Sequence, residues 1–169
     1  MIYLFALHDV NTHFIWKGYI QNMNRRETRE AALCMIFNYS FHTEGDGNEQ
    51  LELYLDNFQD KDEKNISEEL RQDDYFTKVY FGVISNLEEL DTIIASCSKK
   101  WSTARISRVS KSILRLALYE IIYMKDIPEQ VSVNEAVELA KKFDSDESYT
   151  FVNGILGAYL RSKETKPEE

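Results

Sequence analysis

From Arg25 onward, apolar residues recur at intervals of three and four, the spacing that places side chains on one face of an α-helix. No segment alternates convincingly as a strand does, so the pattern predicts an all-α fold, a compact bundle of about seven short helices. The predicted helices are about Arg25–Phe41, a segment holding Leu51, Leu55 and Phe58, a third from about Asp73 or Asp74 with Tyr75 inward, a fourth with Leu87, Leu90, Ile94, Cys97 and Trp101, a fifth over about Ser107–Met124, a sixth opening at Ser132, and a last over about Ser148–Arg161.

Breaker and capping residues set the predicted ends of these helices. The stretch Glu44–Gly47 ends the first helix, and the polar stretch Gln59–Asn65 is predicted to be a loop. The fifth helix should end before Asp126–Pro128, because the residue that precedes a proline is disfavoured in the helical conformation. Ser132 and Glu135 have the spacing of a capping box, in which a hydroxyl and a carboxylate each accept a hydrogen bond from a backbone amide.

The two ends of the chain lack the helical pattern. Residues 1–22 mix aromatic and histidine side chains without a sustained period, and Met23 begins the patterned part. We interpret 1–22 as an extension from an upstream start codon or a gene-model artefact; the alternative is a segment that packs its aromatic side chains on the body. Residues 162–169 are charged and are predicted to form a flexible tail, which leaves 23–161 as one domain.

The composition favours a helical, cytoplasmic protein. Only eight of the 169 residues are glycine or proline, too few for the many turns of a β-sandwich or barrel. Cys34 and Cys97 have no metal-binding or redox spacing and are interpreted as reduced, buried side chains, as in the cytosol. The longest uncharged stretches have thirteen residues and contain polar side chains, so neither a membrane span nor a membrane partner is expected.

The net charge of −9 argues at first against a nucleic-acid partner, but the charge is unevenly distributed. Residues 44–91 hold four basic and fifteen acidic residues, whereas residues 92–115 hold six basic residues and no acid. The protein is therefore polarised, and a basic surface remains possible on a chain that is acidic as a whole.

A cluster of three arginines opens the first predicted helix. Arg25 and Arg29 are four residues apart on one helix face, and Arg26 lies beside Arg29 at a spacing of three. Positive charge at a helix N-terminus is slightly unfavourable, which invites a neutralising partner such as a phosphate backbone. The alternative is a solvated cluster that pairs with acids of this chain. The basic stretch Lys99–Arg115 has the same two interpretations.

Catalytic and cofactor-binding motifs are absent from the sequence. The three histidines, His8, His13 and His42, have no carboxylate or cysteine partner at an interpretable spacing. No phosphate-binding glycine loop, dinucleotide fingerprint or zinc-protease motif occurs. We therefore expect no enzyme activity, no catalytic residue, no cofactor and no metal site.

Four stretches in order resemble one family, the NusB transcription antitermination factors. They are Arg25–Ala32, Ser112–Ile121, Ile127–Pro128 followed by Val133–Phe143, and Phe151–Leu156. The resemblance implies an all-helical fold of two small helical subdomains packed together. It also implies binding of a single-stranded leader sequence, boxA RNA, jointly with the small-subunit ribosomal protein NusE. Through this complex RNA polymerase reads through terminators in ribosomal RNA operons.

The resemblance also implies a set of RNA contacts. It assigns Arg25, Arg26 and Arg29 as the leading contacts, and Phe37, Lys111 and Phe143 as further ones. Asp144 stands where the family often has glycine, and aspartate would adopt the left-handed conformation of a glycine helix stop only at some cost.

By the same resemblance, NusE docks around the fourth and fifth predicted helices, and Arg115 and Glu120 pair with other charges inside the bundle. Some relatives self-associate. The alternative function is therefore a protein-interaction or homodimerisation module in which RNA binding is secondary.

Overall fold

The computed structural model describes residues 23–41, 47–56, 61–98, 106–145 and 147–164, with the backbone alone for 61–66. These residues form eight helices and no strand, which confirms the all-α prediction. No helix among them is long and apolar enough to cross a bilayer. The helices are α1 (Arg25–Tyr39), α2 (Gly47–Asp56), α3 (Lys61–Gln72), α4 (Asp74–Ser85), α5 (Leu87–Cys97), α6 (Arg108–Tyr123), α7 (Glu129–Phe143) and α8 (Ser148–Glu164).

The chain divides into two compact units, Met1–Ile84 and Ser85–Glu169. This division confirms the two small helical subdomains that the family resemblance implied. The first unit holds α1 to α4, and the second holds α5 to α8.

In the first unit, α1 is the most buried helix, since every residue of Thr28–Phe37 is buried. The apolar side chains of Leu51, Leu55 and Phe76 are also at most 5% exposed. Two polar contacts fix the neighbouring helices. The Tyr80 hydroxyl donates to the Gly47 carbonyl at 3.0 Å, and the Arg71 guanidinium of α3 bonds two carboxylates of α2 at 2.8 Å each.

In the second unit, α6, α7 and α8 pack against one another, and α5 packs on α6 and α8. The core is largely apolar: Ile113, Leu116, Ala140 and Ile155 are at most 1% exposed, although Glu120 is also fully buried. The helical periodicity correctly identified these four apolar positions as inward, whereas Tyr123, on the same stripe as Ile113 and Leu116, is 39% exposed.

Several predicted helix boundaries differ from the structure. The first helix ends at Tyr39, two residues before the predicted Phe41, and Gly47, predicted as a breaker, begins α2. The prediction of a loop over Gln59–Asn65 is wrong from Lys61, where α3 begins. The sixth predicted helix begins at Glu129 with Pro128 as its N-cap, and Ser132 is buried within the helix instead of capping it. The last helix continues to Glu164, three residues beyond the predicted end.

Several predictions concern positions outside the described residues. They include the extension 1–22, His42, the apolar positions Phe58 and Trp101, the basic residues Lys99, Lys100 and Arg105, and the end of the tail at 165–169.

Candidate nucleic-acid interface

The arginine-bearing start of α1 is closed by a complete capping box. The Asn24 side chain accepts hydrogen bonds from the amides of Arg26 (3.0 Å) and Glu27 (3.2 Å), and the Glu27 carboxylate accepts from the Asn24 amide at 2.8 Å. The Met23 amide donates to the Glu69 carboxylate of α3 at 2.6 Å. These bonds satisfy amides that a helix start leaves open, and the Glu27 charge partly offsets the arginines.

Two of the three arginines converge on one aromatic ring. The Cζ atom of Arg25 lies 4.4 Å from the ring centroid of Tyr75 in α4, and that of Arg29 lies 5.4 Å from it. Tyr75 itself is buried, with 4% of its surface exposed. Both distances fall within the range of a cation–π interaction, so Tyr75 holds the two guanidiniums at the start of α1.

The three arginines differ in exposure. Arg25 and Arg26 are exposed, whereas Arg29 is 3% exposed. Among the described residues Arg25 makes no ion pair, and its one contact is the Tyr75 ring. Arg25 therefore presents a positive charge at the surface with no acidic partner among the described residues, and the role of Arg29 as an RNA contact stays a prediction.

The two predicted aromatic contacts are largely inside their units. Phe37 is 7% exposed and meets Phe41 edge to face, with ring centroids 4.9 Å apart. Phe143 is also 7% exposed, and the Lys142 amino group lies 5.1 Å from its ring centroid. Little of either residue is accessible to solvent, so stacking of a base on either ring stays a prediction.

Lys111 belongs to a small charge network on α5 and α6. Its amino group lies 2.8 Å from the Asp91 carboxylate, which also accepts two hydrogen bonds of 2.8 Å from Arg115. Burial raises the pKa of Asp91, but the hydrogen bonds and charges of Arg115 and Lys111 outweigh it, so the pKa lies below its usual value. The expected pairing of Arg115 inside the bundle is confirmed, and a phosphate would have to compete with Asp91 for Lys111.

Asp144 ends α7 without the strain that the sequence suggested. Its backbone is extended, with φ −125° and ψ −165°, so Asp144 does not use the left-handed conformation of a glycine helix stop. Its carboxylate accepts hydrogen bonds from the Ser107 and Ser110 hydroxyls at 2.5 and 2.6 Å. Aspartate at this position therefore ties the end of α7 to the start of α6.

The structure brings the predicted site residues together in part. Arg25 and Arg29 share Tyr75 in the first unit, with Arg26 and Phe37 on the same helix, whereas Lys111 and Phe143 belong to the second unit. Sequence reasoning predicted that Tyr75 is inward but missed its contact with the arginines. No local signal could have revealed that contact, because the partners are about fifty residues apart in the chain.

Two other kinds of site among the described residues would bear on function, a metal site and a cleft. No group of three histidine, cysteine, aspartate or glutamate side chains among them could hold a metal ion. The second unit has a shallow cleft of about 670 Å³ lined mostly by α5, with Glu88, Glu89 and Tyr159 among its residues. Its lining mixes apolar and polar side chains, and the carboxylates of Glu88 and Glu89 suit a cationic protein segment better than an RNA backbone.

Comparison with known proteins gives consistent matches to one family. The model of the NusB family matches residues 26–161. The transcription antitermination protein NusB of Geobacter sp. (strain M21) is 42% identical over 132 residues, covering 78% of this chain and 90% of that protein. The NusB of Clostridium acetobutylicum is 39% identical over 144 residues, covering 85% of this chain and 100% of that protein.

Solved structures agree with this match. The structure of T. maritima NusB has a TM-score of 0.62 and 35% identity, covering 83% of this chain and 93% of that one. The solution structure of NusB from Aquifex aeolicus has a TM-score of 0.65 and 26% identity, covering 86% and 94%. A crystal structure of the antitermination factors NusB and NusE in complex with dsRNA has a TM-score of 0.62 and 24% identity, covering 82% and 96%, which supports the fold.

Proposed function

This chain belongs to the NusB family, and on that premise we propose that it promotes transcription antitermination by binding boxA-type single-stranded leader RNA together with NusE. In this role it acts in the cytoplasm as an adapter without enzyme activity. It joins the RNA polymerase antitermination complex and helps the polymerase read through terminators in ribosomal RNA operons.

One observation carries the RNA-binding part of the proposal. Arg25 is exposed at a capped helix start, is held on Tyr75, and has no acidic partner among the described residues. A guanidinium can fork onto a phosphate or stack on an unpaired base, which are the two common ways of holding single-stranded RNA. An ordered arginine loses less conformational freedom on binding than a mobile one, so this position favours RNA.

The other predicted contacts are ranked by their exposure. Arg26 is exposed and adds a second charge beside Arg25. Lys111 would contribute by exchanging Asp91 for a phosphate. Arg29, Phe37 and Phe143 are at most 7% exposed, and we propose that they support the RNA surface and contact the RNA only through the small part of each that is accessible.

NusE is proposed to dock around α5 and α6. The solved complex of a NusB with NusE and RNA supports such a partner, as does the acidic cleft along α5, because a ribosomal protein that binds RNA carries basic side chains. A joint complex also explains how a chain of net charge −9 binds RNA: the partner supplies part of the positive surface.

The experiment that tests this function is fluorescence anisotropy with boxA-like and scrambled RNA, each with and without NusE. We expect tighter binding of the boxA-like RNA, with the largest difference when NusE is present. Equal binding of the two RNAs in the presence of NusE would remove the specific function.

The arginine assignment has its own test in the salt dependence of binding. The slope of log affinity against log salt is about −0.7 for each phosphate neutralised on a single strand. Replacing Arg25 and Arg29 together by alanine should make the slope less steep by about one phosphate or more. An unchanged slope and affinity in the folded double variant would show that these arginines do not contact RNA.

The alternative function is self-association, with RNA binding secondary. It is favoured by two large apolar side chains at the surface of the first unit, Phe41 at 52% and Leu53 at 60% exposure. Light scattering over a range of concentrations separates the two functions. A protein that stays monomeric at every concentration excludes the homodimer.

A further inference from the structure

We propose that Arg25 is a stacking position for one unpaired base of the bound RNA, and that Tyr75 is the positioning residue that prepares it. The proposal rests on the RNA-binding function above and assigns to Arg25 a contact with a base in addition to its charge. The three groups would form one stack, with the aromatic ring inside, the guanidinium in the middle and the base outside.

The geometry of the two side chains carries this inference. Tyr75 is 4% exposed and fixed in the first unit, and the Arg25 Cζ atom lies over its ring at 4.4 Å from the centroid. A guanidinium is flat, so one that stacks parallel to a ring has its opposite side left for a second flat group. Arg25 is exposed, so a base in solution can approach its side chain.

The surrounding contacts keep Arg25 available for stacking. Arg25 has no hydrogen bond or ion pair among the described residues that would turn its plane towards an acid. Arg29 lies 5.4 Å from the same ring centroid and is buried, so it supports Tyr75 from within the fold. The capping box below fixes the backbone from which Arg25 extends.

The chemistry distinguishes this role from a phosphate contact. A phosphate needs a positive charge, which lysine supplies as well as arginine does, whereas stacking needs the flat guanidinium. Stacking of a base on a protein platform contributes about five- to tenfold or more in affinity and tolerates every base. Replacing Arg25 by lysine should therefore weaken binding and leave the salt slope unchanged.

The test combines protein variants with RNA in which one nucleotide at a time lacks its base. For the wild-type chain, we expect one abasic position to weaken binding by about five- to tenfold. For Arg25→Lys, the same abasic position should weaken binding less than twofold, because the stack is already lost. If every abasic position weakens Arg25→Lys as much as the wild type, the stacking role is overturned.

Variants of Tyr75 test the positioning role. Tyr75→Phe keeps the aromatic ring and should bind within about twofold of the wild type, whereas Tyr75→Leu should respond to the abasic RNA as Arg25→Lys does. Circular dichroism checks that each variant is folded. A Tyr75→Leu protein that is folded and keeps the full wild-type sensitivity to the abasic position would overturn the positioning role.

Arg161→Lys is the matched control, since it makes the same substitution at an exposed arginine near the end of α8. It should keep the wild-type affinity and sensitivity, and a loss equal to that of Arg25→Lys would overturn the assignment to Arg25. The result also stays separate from the proposed function. If the wild type binds boxA-like RNA specifically and Arg25→Lys matches it throughout, the stacking position alone is overturned.

Discussion

Replacing Asp91 by asparagine should destabilise the second unit measurably. The Asp91 carboxylate accepts two hydrogen bonds of 2.8 Å from the Arg115 guanidinium and lies 2.8 Å from the Lys111 amino group. The Arg115 side chain is 10% exposed, so water can solvate its charge only weakly when Asp91 loses its own charge. The variant keeps the size of the side chain, removes the charge, and replaces one accepting carboxylate oxygen by an NH2 group, which can only donate.

The size of the effect follows from the burial of the two partners. Removing one partner of a fully buried ion pair costs about 3–5 kcal/mol, because the other charge is left without compensation. Asp91 is 31% exposed, so water screens part of the pair, and asparagine retains one acceptor. We therefore expect the free energy of unfolding to fall by about 2–3 kcal/mol, or a Tm lower by about 4–12 °C for a chain of this length.

The assay is urea and thermal unfolding followed by circular dichroism, with Asp126→Asn as the control at an exposed acid. Asp91→Asn should also lose a pH dependence that the wild type has. The pKa of Asp91 is lowered in the folded state, so its contribution is present above the unfolded value near 4 and is lost as pH falls through the folded pKa.

A double variant shows how much of the loss of stability comes from the unpaired charge of Arg115. Arg115→Met in the Asp91→Asn background removes the stranded charge and should recover much of the stability. A change below about 0.5 kcal/mol in Asp91→Asn alone would refute the reasoning, because exposed pairs have effects of that size.

Three further predictions concern single side chains. Ser132 is 1% exposed, and its hydroxyl has no hydrogen-bond partner among the described residues. Ser132→Ala should therefore raise the free energy of unfolding, measured by urea titration, by up to about 1 kcal/mol, and a clear loss of stability would contradict this. Asp144→Ala removes two hydrogen bonds that hydroxyls at the start of α6 donate to the carboxylate, and should lower the stability measured by thermal unfolding by about 1–2 kcal/mol. An unchanged Tm would mean that the carboxylate is not needed there. Arg71→Gln breaks two ion pairs whose carboxylates are more than half exposed, so it should lower the free energy of unfolding by less than about 1 kcal/mol. This loss should be smaller at high salt, and a loss that does not depend on salt would count against an ionic origin.

The helices of this fold are predictable from the sequence to the extent that their apolar spacing is regular. The stripe of α6 is dense, so its extent was predicted closely. The missed helix α3 is rich in charge and has few apolar residues, Ile66 and Leu70 among them, so its pattern looked like a loop. The misplaced start of α7 has a different cause. The pattern of Ser132 and Glu135 also occurs inside helices, and Pro128 had already opened this one.

For the candidate site, the sequence could predict which residues take part but not the environment of each. The arginines at the start of α1 were evident, but their different environments depend on Tyr75, which reaches them through the tertiary fold. In the same way, Lys111 was predicted from its charge, and its pairing with Asp91 depends on how α5 lies against α6. Local pattern identifies which side chains are available, whereas packing decides which of them remain exposed.

The burial of ten consecutive residues in α1, Thr28–Phe37, has a consequence for how this protein tolerates mutation. In an ordinary surface helix, tolerance rises and falls with the helical period, because one face is always in solvent. A saturation library of α1, scored by folding, should instead show one unbroken intolerant block, with tolerance returning at Arg26 and Arg25. The exposed first turn of α1 can therefore change its sequence while the rest of the helix is held constant by packing.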